Sequence, residues 1–179
     1  MTTNLVPSVQ IAHGQANFVF GSAIGFRGGV LHILCHGVAK ATLFLCAGAI
    51  AYGAGTRQIS QLRGLGTRMP LVAAAFMVGA LAVTGVPPFS TFWSKLLIFT
   101  GALEVPNGAI LLVLLAAESV VSFAWFMWVA QRIFLGSPSP AAASAAAPPP
   151  AMGAALVIGM ILCVAAPFFG LPLVNWIAP

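Results

Sequence analysis

The sequence predicts an all-α integral membrane protein, a bundle of about five to six transmembrane helices of which one is interrupted by proline. Three observations carry this. The 179 residues are 60% hydrophobic and 5% charged, whereas a soluble domain carries about 25% charged residues. The apolar residues gather in runs that approach or exceed the roughly 20 needed to cross a bilayer. One of those runs stops at Pro87-Pro88, where two backbone donors are missing and Val86 is pushed out of the helical region.

In chain order, residues 1–15 read as polar and irregular, without the basic start and apolar core of a signal peptide. Residues 16–26 are apolar but too short to span alone, and read as the tail of a helix or a partial one. Arg27-Gly28-Gly29 reads as the turn into the next helix, Gly28 to Gly55. Residues 55–69 hold Arg57, Arg63 and Arg68 with no acid, an interfacial loop that the positive-inside rule places in the cytoplasm. A second apolar run covers 70–86. Residues 89–104 resume with Ser90 and Thr91 as helix caps and Lys95 within the apolar stretch. That length gives only about 24 Å of helix, short of a hydrocarbon core of roughly 30 Å. It is therefore either a tilted short span or one arm of a broken helix, and such interruptions often line a transporter's ion path.

A long helix over 108–133 contains Glu118 and ends at Gln131-Arg132. Residues 137–151, rich in Pro, Ala and Ser, read as a flexible extramembrane linker, and 152–177 as a last span with Trp176 as its interfacial anchor. This divides the chain into residues 1–135, a linker at 136–151 and a C-terminal helix within 152–179.

Composition also excludes. The net charge of +5 sets seven Lys and Arg against Glu104 and Glu118, but without a basic cluster interleaved with aromatics it does not suggest nucleic acid. Cys35, Cys46 and Cys163 lie inside apolar runs with no CxxC spacing. They read as buried, inert thiols rather than disulfide or iron–sulfur ligands.

The chemistry centres on His32, His36 and Lys40, each four residues after the last in GGVLHILCHGVAKATLFLCAGAIAYGAG. A step of four turns a helix by only about 40°, so the three form one polar stripe about 12 Å long. Lys40 sits near the middle of the run, where an ionisable group costs about 2.5 kcal/mol or more and usually faces a protein interior or a hydrated path. A row of such groups can pass protons if waters bridge them. Packing hydrogen bonds are the plainer reading. A metal site is disfavoured, because the stripe lacks a carboxylate and Lys40 would repel the ion. Lys95 could equally snorkel to the interface. Glu118 could pair with a lysine or stay neutral, and the sequence favours neither.

Three stretches in order, HILCHGVAKATLFLCAGAI, TRQISQLRGLGTRMPL and GALAVTGVPPFSTFWSKLLI, resemble the antiporter-like proton-translocating membrane subunits. That family comprises the large membrane subunits of respiratory complex I, those of membrane-bound hydrogenases, and the A-type and D-type subunits of Mrp-type cation/proton antiporters. The resemblance covers roughly residues 14–135, and the GLG-x-RMP and GVPPF-x-x-FWSK forms look most like the D-type antiporter member. It implies two inverted five-helix repeats, each with a broken helix and a share of an ionisable axis. Lys40, with His32 and His36, matches the linking part of that axis in the second repeat, and Lys95 matches the lysine at its broken helix. The first repeat, with its glutamate–lysine pair, has no counterpart here, and no motif residue maps onto Glu118. The resemblance also implies that the 55–69 loop lies on the face opposite to the one its arginines predict.

The expected function is proton or cation/proton translocation through a buried Lys/His relay: Lys40, Lys95, His36 and His32. The expected partners are other membrane subunits, protons with Na+ as the alternative ion, and the lipid bilayer. No redox cofactor or metal is expected. The competing expectation is a structural or degenerate subunit that packs against partners without conducting.

Overall fold

The computed structural model describes residues 22–177, so residues 1–15 and most of the partial helix expected over 16–26 lie outside the described residues. The described helices are α1 (Ala23–Ala54), α2 (Pro70–Thr84), α3 (Ser90–Leu103), α4 (Gly108–Phe134), the single turn α5 (Pro140–Ala143) and α6 (Pro150–Ile177). Two 3₁₀ turns, Ile59–Gln61 and Leu65–Thr67, shape the arginine loop. By length and composition α1, α4 and α6 can cross a bilayer, and α2 is a shorter apolar helix. The chain is an all-helical integral membrane protein.

The element α1 is the axis on which the others pack. It begins at Ser22, whose hydroxyl accepts a hydrogen bond from the Gly25 N–H at 3.1 Å and so satisfies one of the free donors of the first turn. It ends at Gly55, left-handed at φ 67°, a conformation that suits glycine. Arg27-Gly28-Gly29, expected as a turn, lies inside this helix. The glycine there serves packing instead: a Cβ on Gly28 would stand 2.7 Å from the backbone nitrogen of Ile98. One on Gly101 would collide with the backbone of Gly25.

These contacts fix direction. Gly25 meets Gly101, Gly28 meets Ile98 and His32 meets Ser94, so α3 runs antiparallel to the first half of α1. Gly53 lies against Met69, at the start of α2, and Gly79 against Ala39 and Leu43, so α2 runs antiparallel to the second half. The two helices, with 15 and 14 residues, therefore follow one direction as the arms of a single interrupted span. Each is about 22 Å long or less, too short to cross alone. The break, Gly85 to Phe89, faces the middle of α1.

Ser90 and Thr91 do not cap α3. Its N-cap is Phe89, with no side-chain bond. Both hydroxyl residues are buried, and the Thr91 hydroxyl donates back to the Ala82 carbonyl, one of the acceptors left free at the end of α2.

On its other side α1 carries α6, also antiparallel: Gly159 sits against Thr42 and Gly170 against Leu31. The prolines inside α6, Pro167 and Pro172, are tolerated because neighbouring helices can satisfy the freed carbonyls. Helix α4 returns antiparallel to the two arms, joined to α2 by Phe76 packed near Phe126 and Phe134. The main core gathers where α1 and α4 end and α2 and α6 begin, around Cys46, Leu65, Met69, Val72, Phe76 and Leu156. All three cysteines are free and buried.

The stretch read as a flexible linker is pinned to this end of the bundle. Ser139 caps α5, and its hydroxyl donates to the Gln61 carbonyl at 2.5 Å. Arg63 holds Ser137 through its carbonyl at 3.2 Å and its hydroxyl at 2.9 Å. The Ala146 N–H donates to the Gly53 carbonyl at 2.9 Å. Composition could not show this, because the partners, Gln61, Arg63 and Gly53, are far away in sequence.

Candidate functional site

Lys95 lies one turn into α3, just past the break, and its side chain turns into the bundle rather than towards the interface. It is only 11% exposed, because it crosses Gly85, where a Cβ would stand 2.9 Å from its Cδ. Gly85 is also left-handed at φ 86°, so both its backbone and its missing side chain serve the lysine. The ammonium donates to three oxygens: the Thr84 carbonyl at 3.2 Å, the Ser119 hydroxyl at 2.6 Å and a Glu118 carboxylate oxygen at 3.1 Å. The Thr84 carbonyl belongs to the C-terminal end of α2, which carries the negative end of that half-helix's dipole and favours a cation.

The Lys95–Glu118 contact is the one ion pair among the described residues. Glu118 is held on α4 by its own helix: Ser122 donates to its other carboxylate oxygen at 2.8 Å, and Ser119 to the shared one at 3.4 Å. Yet its side chain is 56% exposed, and no residue of α4 between Gly108 and Ala130 is buried. The carboxylate thus links a buried lysine to the open flank of the bundle. A small cavity of about 260 Å³ borders Lys95, Ser119 and Thr84.

Towards α1 the site continues through hydroxyls and imidazoles. Ser94, one residue before Lys95, donates to the Thr91 carbonyl at 2.9 Å and bonds His32 Nδ1 at 2.9 Å. The His32 and His36 rings stack with centroids 5.1 Å apart. Both histidines lie within electrostatic reach of Lys95 and Glu118. His36 Nδ1 is buried without a hydrogen-bond partner among the described residues, the kind of position that an ordered water commonly fills.

The expected residues therefore divide. The structure brings Lys95, His32 and His36 to the break. Lys40 is exposed at the bundle surface, with no hydrogen bond or ion pair among the described residues. The reason is helical: two steps of four turn the stripe by about 80° in all, enough to carry it off the α3 contact by the time it reaches Lys40. Glu118, Ser119 and Ser122 complete the site: sequence reasoning leaves Glu118 open between a lysine partner and a neutral acid, and does not single out the two serines. Their spacing held a signal, since ESVVS puts three polar groups on one flank of an otherwise apolar helix.

Comparison with known proteins agrees with this geometry. Residues 10–122 match the family described as NADH:quinone oxidoreductase/Mrp antiporter, transmembrane. NADH-quinone oxidoreductase subunit N of Desulforudis audaxviator is 32% identical over 134 residues, 74% of this chain and 26% of that protein. Formate hydrogenlyase subunit 3 of Escherichia coli is 30% identical over 171 residues, 88% of this chain and 28% of that protein. A chain in the structure of the Mrp complex from Dietzia sp. superposes with a TM-score of 0.64 at 28% identity, covering 86% of this chain and 36% of that one. The chain spans about a quarter of the length of the curated relatives it matches. An ion-paired lysine at the break of an interrupted helix, three ordered motifs and these similarities agree, and the chain belongs to the NADH:quinone oxidoreductase/Mrp antiporter transmembrane family.

Proposed function

We propose that this chain acts within a membrane subunit that moves protons, or exchanges a cation such as Na+ for protons, as part of a multi-subunit antiporter or redox-driven pump. The observation that carries this reading is Lys95 lodged at a helix break between the carbonyl end of α2 and Glu118. Nothing in packing alone requires a charged group there, and ionisable residues at membrane depth mark ion paths by default. In this reading Lys95 takes and releases a proton. Ser94, His32 and His36 connect it across the α1 contact, with a water bonding His36 Nδ1, and Lys40 hands the proton onward to whatever covers that face of α1. The relatives, an NADH-quinone oxidoreductase subunit, a formate hydrogenlyase subunit and an Mrp complex, support membrane-subunit partners.

The test is coupled proton flux in proteoliposomes of the assembled complex. Lys95→Ala should stop it. Lys95→Arg should impair it as well, because arginine holds its proton at any working pH. Flux near wild type in both would leave the structural reading in its place. That second reading has its own support, since His32 and Lys95 are already engaged by fixed partners.

A further inference from the structure

Charge and apolar space coincide where α1 and α4 end and α2 begins. Arg57, Arg63, Arg68 and Arg132 all lie at this end, while Glu104 closes α3 and Glu118 sits midway along α4. Arg63 is committed to Ser137, and Arg132 lies over the Trp128 ring, 5.1 Å from its centroid. Arg57 and Arg68 are exposed and have no hydrogen bond or ion pair among the described residues. The stacked Trp125 and Trp128, with centroids 5.2 Å apart, mark this level as the membrane–water interface, where such rings concentrate.

Two apolar grooves open here. One, of about 470 Å³, lies between the last turns of α1 and α4 and is lined by Ala51, Phe76 and Val129, with Thr56 and Arg57 contributed by the loop. The other, of about 700 Å³, lies between α2 and α4 and is lined by Ala73, Met77 and Phe134, with Thr67 and Gln131 beside them. Arg68 and Arg132 adjoin that last pair in sequence. On a membrane-embedded surface an apolar groove of this kind holds a hydrocarbon chain more readily than water. A guanidinium at its interfacial end grips a phosphate through two parallel N–H bonds.

We propose that these grooves bind anionic phospholipid, with an acyl chain in each groove and the phosphate held by Arg57 at the first and by Arg68 at the second. The ligand must supply both parts. A free phosphate leaves the groove empty, and a zwitterionic headgroup brings its own cation against the arginine. The site lies apart from Lys95 and is independent of whether the protein moves protons.

The experiment is native mass spectrometry of the full-length protein in its delipidated membrane complex, titrated with phosphatidylglycerol or with phosphatidylcholine of the same chains. Phosphatidylglycerol should be retained preferentially. Arg57→Gln and Arg68→Gln should each lower its retention about fivefold, the equivalent of about 1 kcal/mol per cationic side chain near an anionic headgroup. Arg57→Lys, which keeps the charge but not the paired N–H bonds, should lower it less than Arg57→Gln does. Ala51→Phe, which fills the first groove without changing charge, should lower retention as Arg57→Gln does. Equal retention of the two lipids, no effect of either arginine variant, or displacement of phosphatidylglycerol by an equal concentration of inorganic phosphate would each overturn the proposal. Intact proton flux alongside any of these outcomes would leave the translocation reading standing.

Discussion

The ion pair between Lys95 and Glu118 makes a quantitative demand. Lys95→Met removes a charged hydrogen bond, which contributes about 1.5–3 kcal/mol, and strands Glu118 on a surface where an unpaired charge costs about 2.5 kcal/mol or more. Glu118 is 56% exposed, so water or a covering subunit recovers part of that, and the expected loss is about 2–3 kcal/mol after this discount. Glu118→Gln leaves the ammonium on Thr84 and Ser119 and keeps an amide for Ser122, so about 1.5 kcal/mol is expected. In the double variant neither charge is left alone, and its loss should stay near 2 kcal/mol instead of reaching the sum. The coupling is then about 1.5–2.5 kcal/mol, well outside the scatter of roughly 0.5 kcal/mol seen for independent sites. Unfolding of the assembled complex in mixed micelles, followed for the wild type, both single variants and the double, measures it. Additive losses within that scatter would show that the 3.1 Å contact carries no energy and would remove Glu118 from the site.

Two further outcomes follow from the geometry. Lys40→Met should leave assembly intact, because this exposed residue has no bond to lose among the described residues, yet stop coupled proton flux; His32→Ala and His36→Ala should be milder, since water can stand in for a relay. Normal pumping by Lys40→Met at equal complex abundance would cut Lys40 out of the path. Gly101→Ala should destabilise by about 1–3 kcal/mol through overpacking, since its Cβ would meet the backbone of Gly25. Gly29→Ala, with nothing within 4 Å, should be neutral or gain up to about 1 kcal/mol in helix propensity. Equal thermal stability of these two variants would refute the close α1–α3 contact.

What the sequence made legible was local. The apolar runs located five helices to within a few residues, because hydrophobicity and proline act at the positions where they occur. Pro87-Pro88 marked the break and Lys95 its neighbour. Illegible were the properties that depend on who lies opposite. Gly28 and Gly29 have the composition of a turn, and only the approach of Ile98 shows why one of them sits in a helix. The Pro/Ala-rich stretch looked unstructured because its anchors are the side chain of Arg63 and the carbonyl of Gln61, far away in sequence. Glu118 had no motif to mark it, since its partner lies on another helix. Lys40 and His36 shared a stripe by spacing, but spacing alone does not say at which turn a neighbouring helix stops covering it.

The bonds joining Gln61, Arg63 and Gly64 to residues 135–139, and Gly53 to Ala146, have a mechanical consequence. They brace four helix ends into one plate, so α1, α2, α4 and α6 cannot slide past one another at that level. Any rearrangement that keeps these bonds must pivot about the plate and grow with distance from it. The interrupted span reaches its break about 22 Å along α2, and there a small tilt becomes a displacement comparable to a hydrogen-bond length. The braced base and the break beside Lys95 thus stand at opposite ends of one arm, α2.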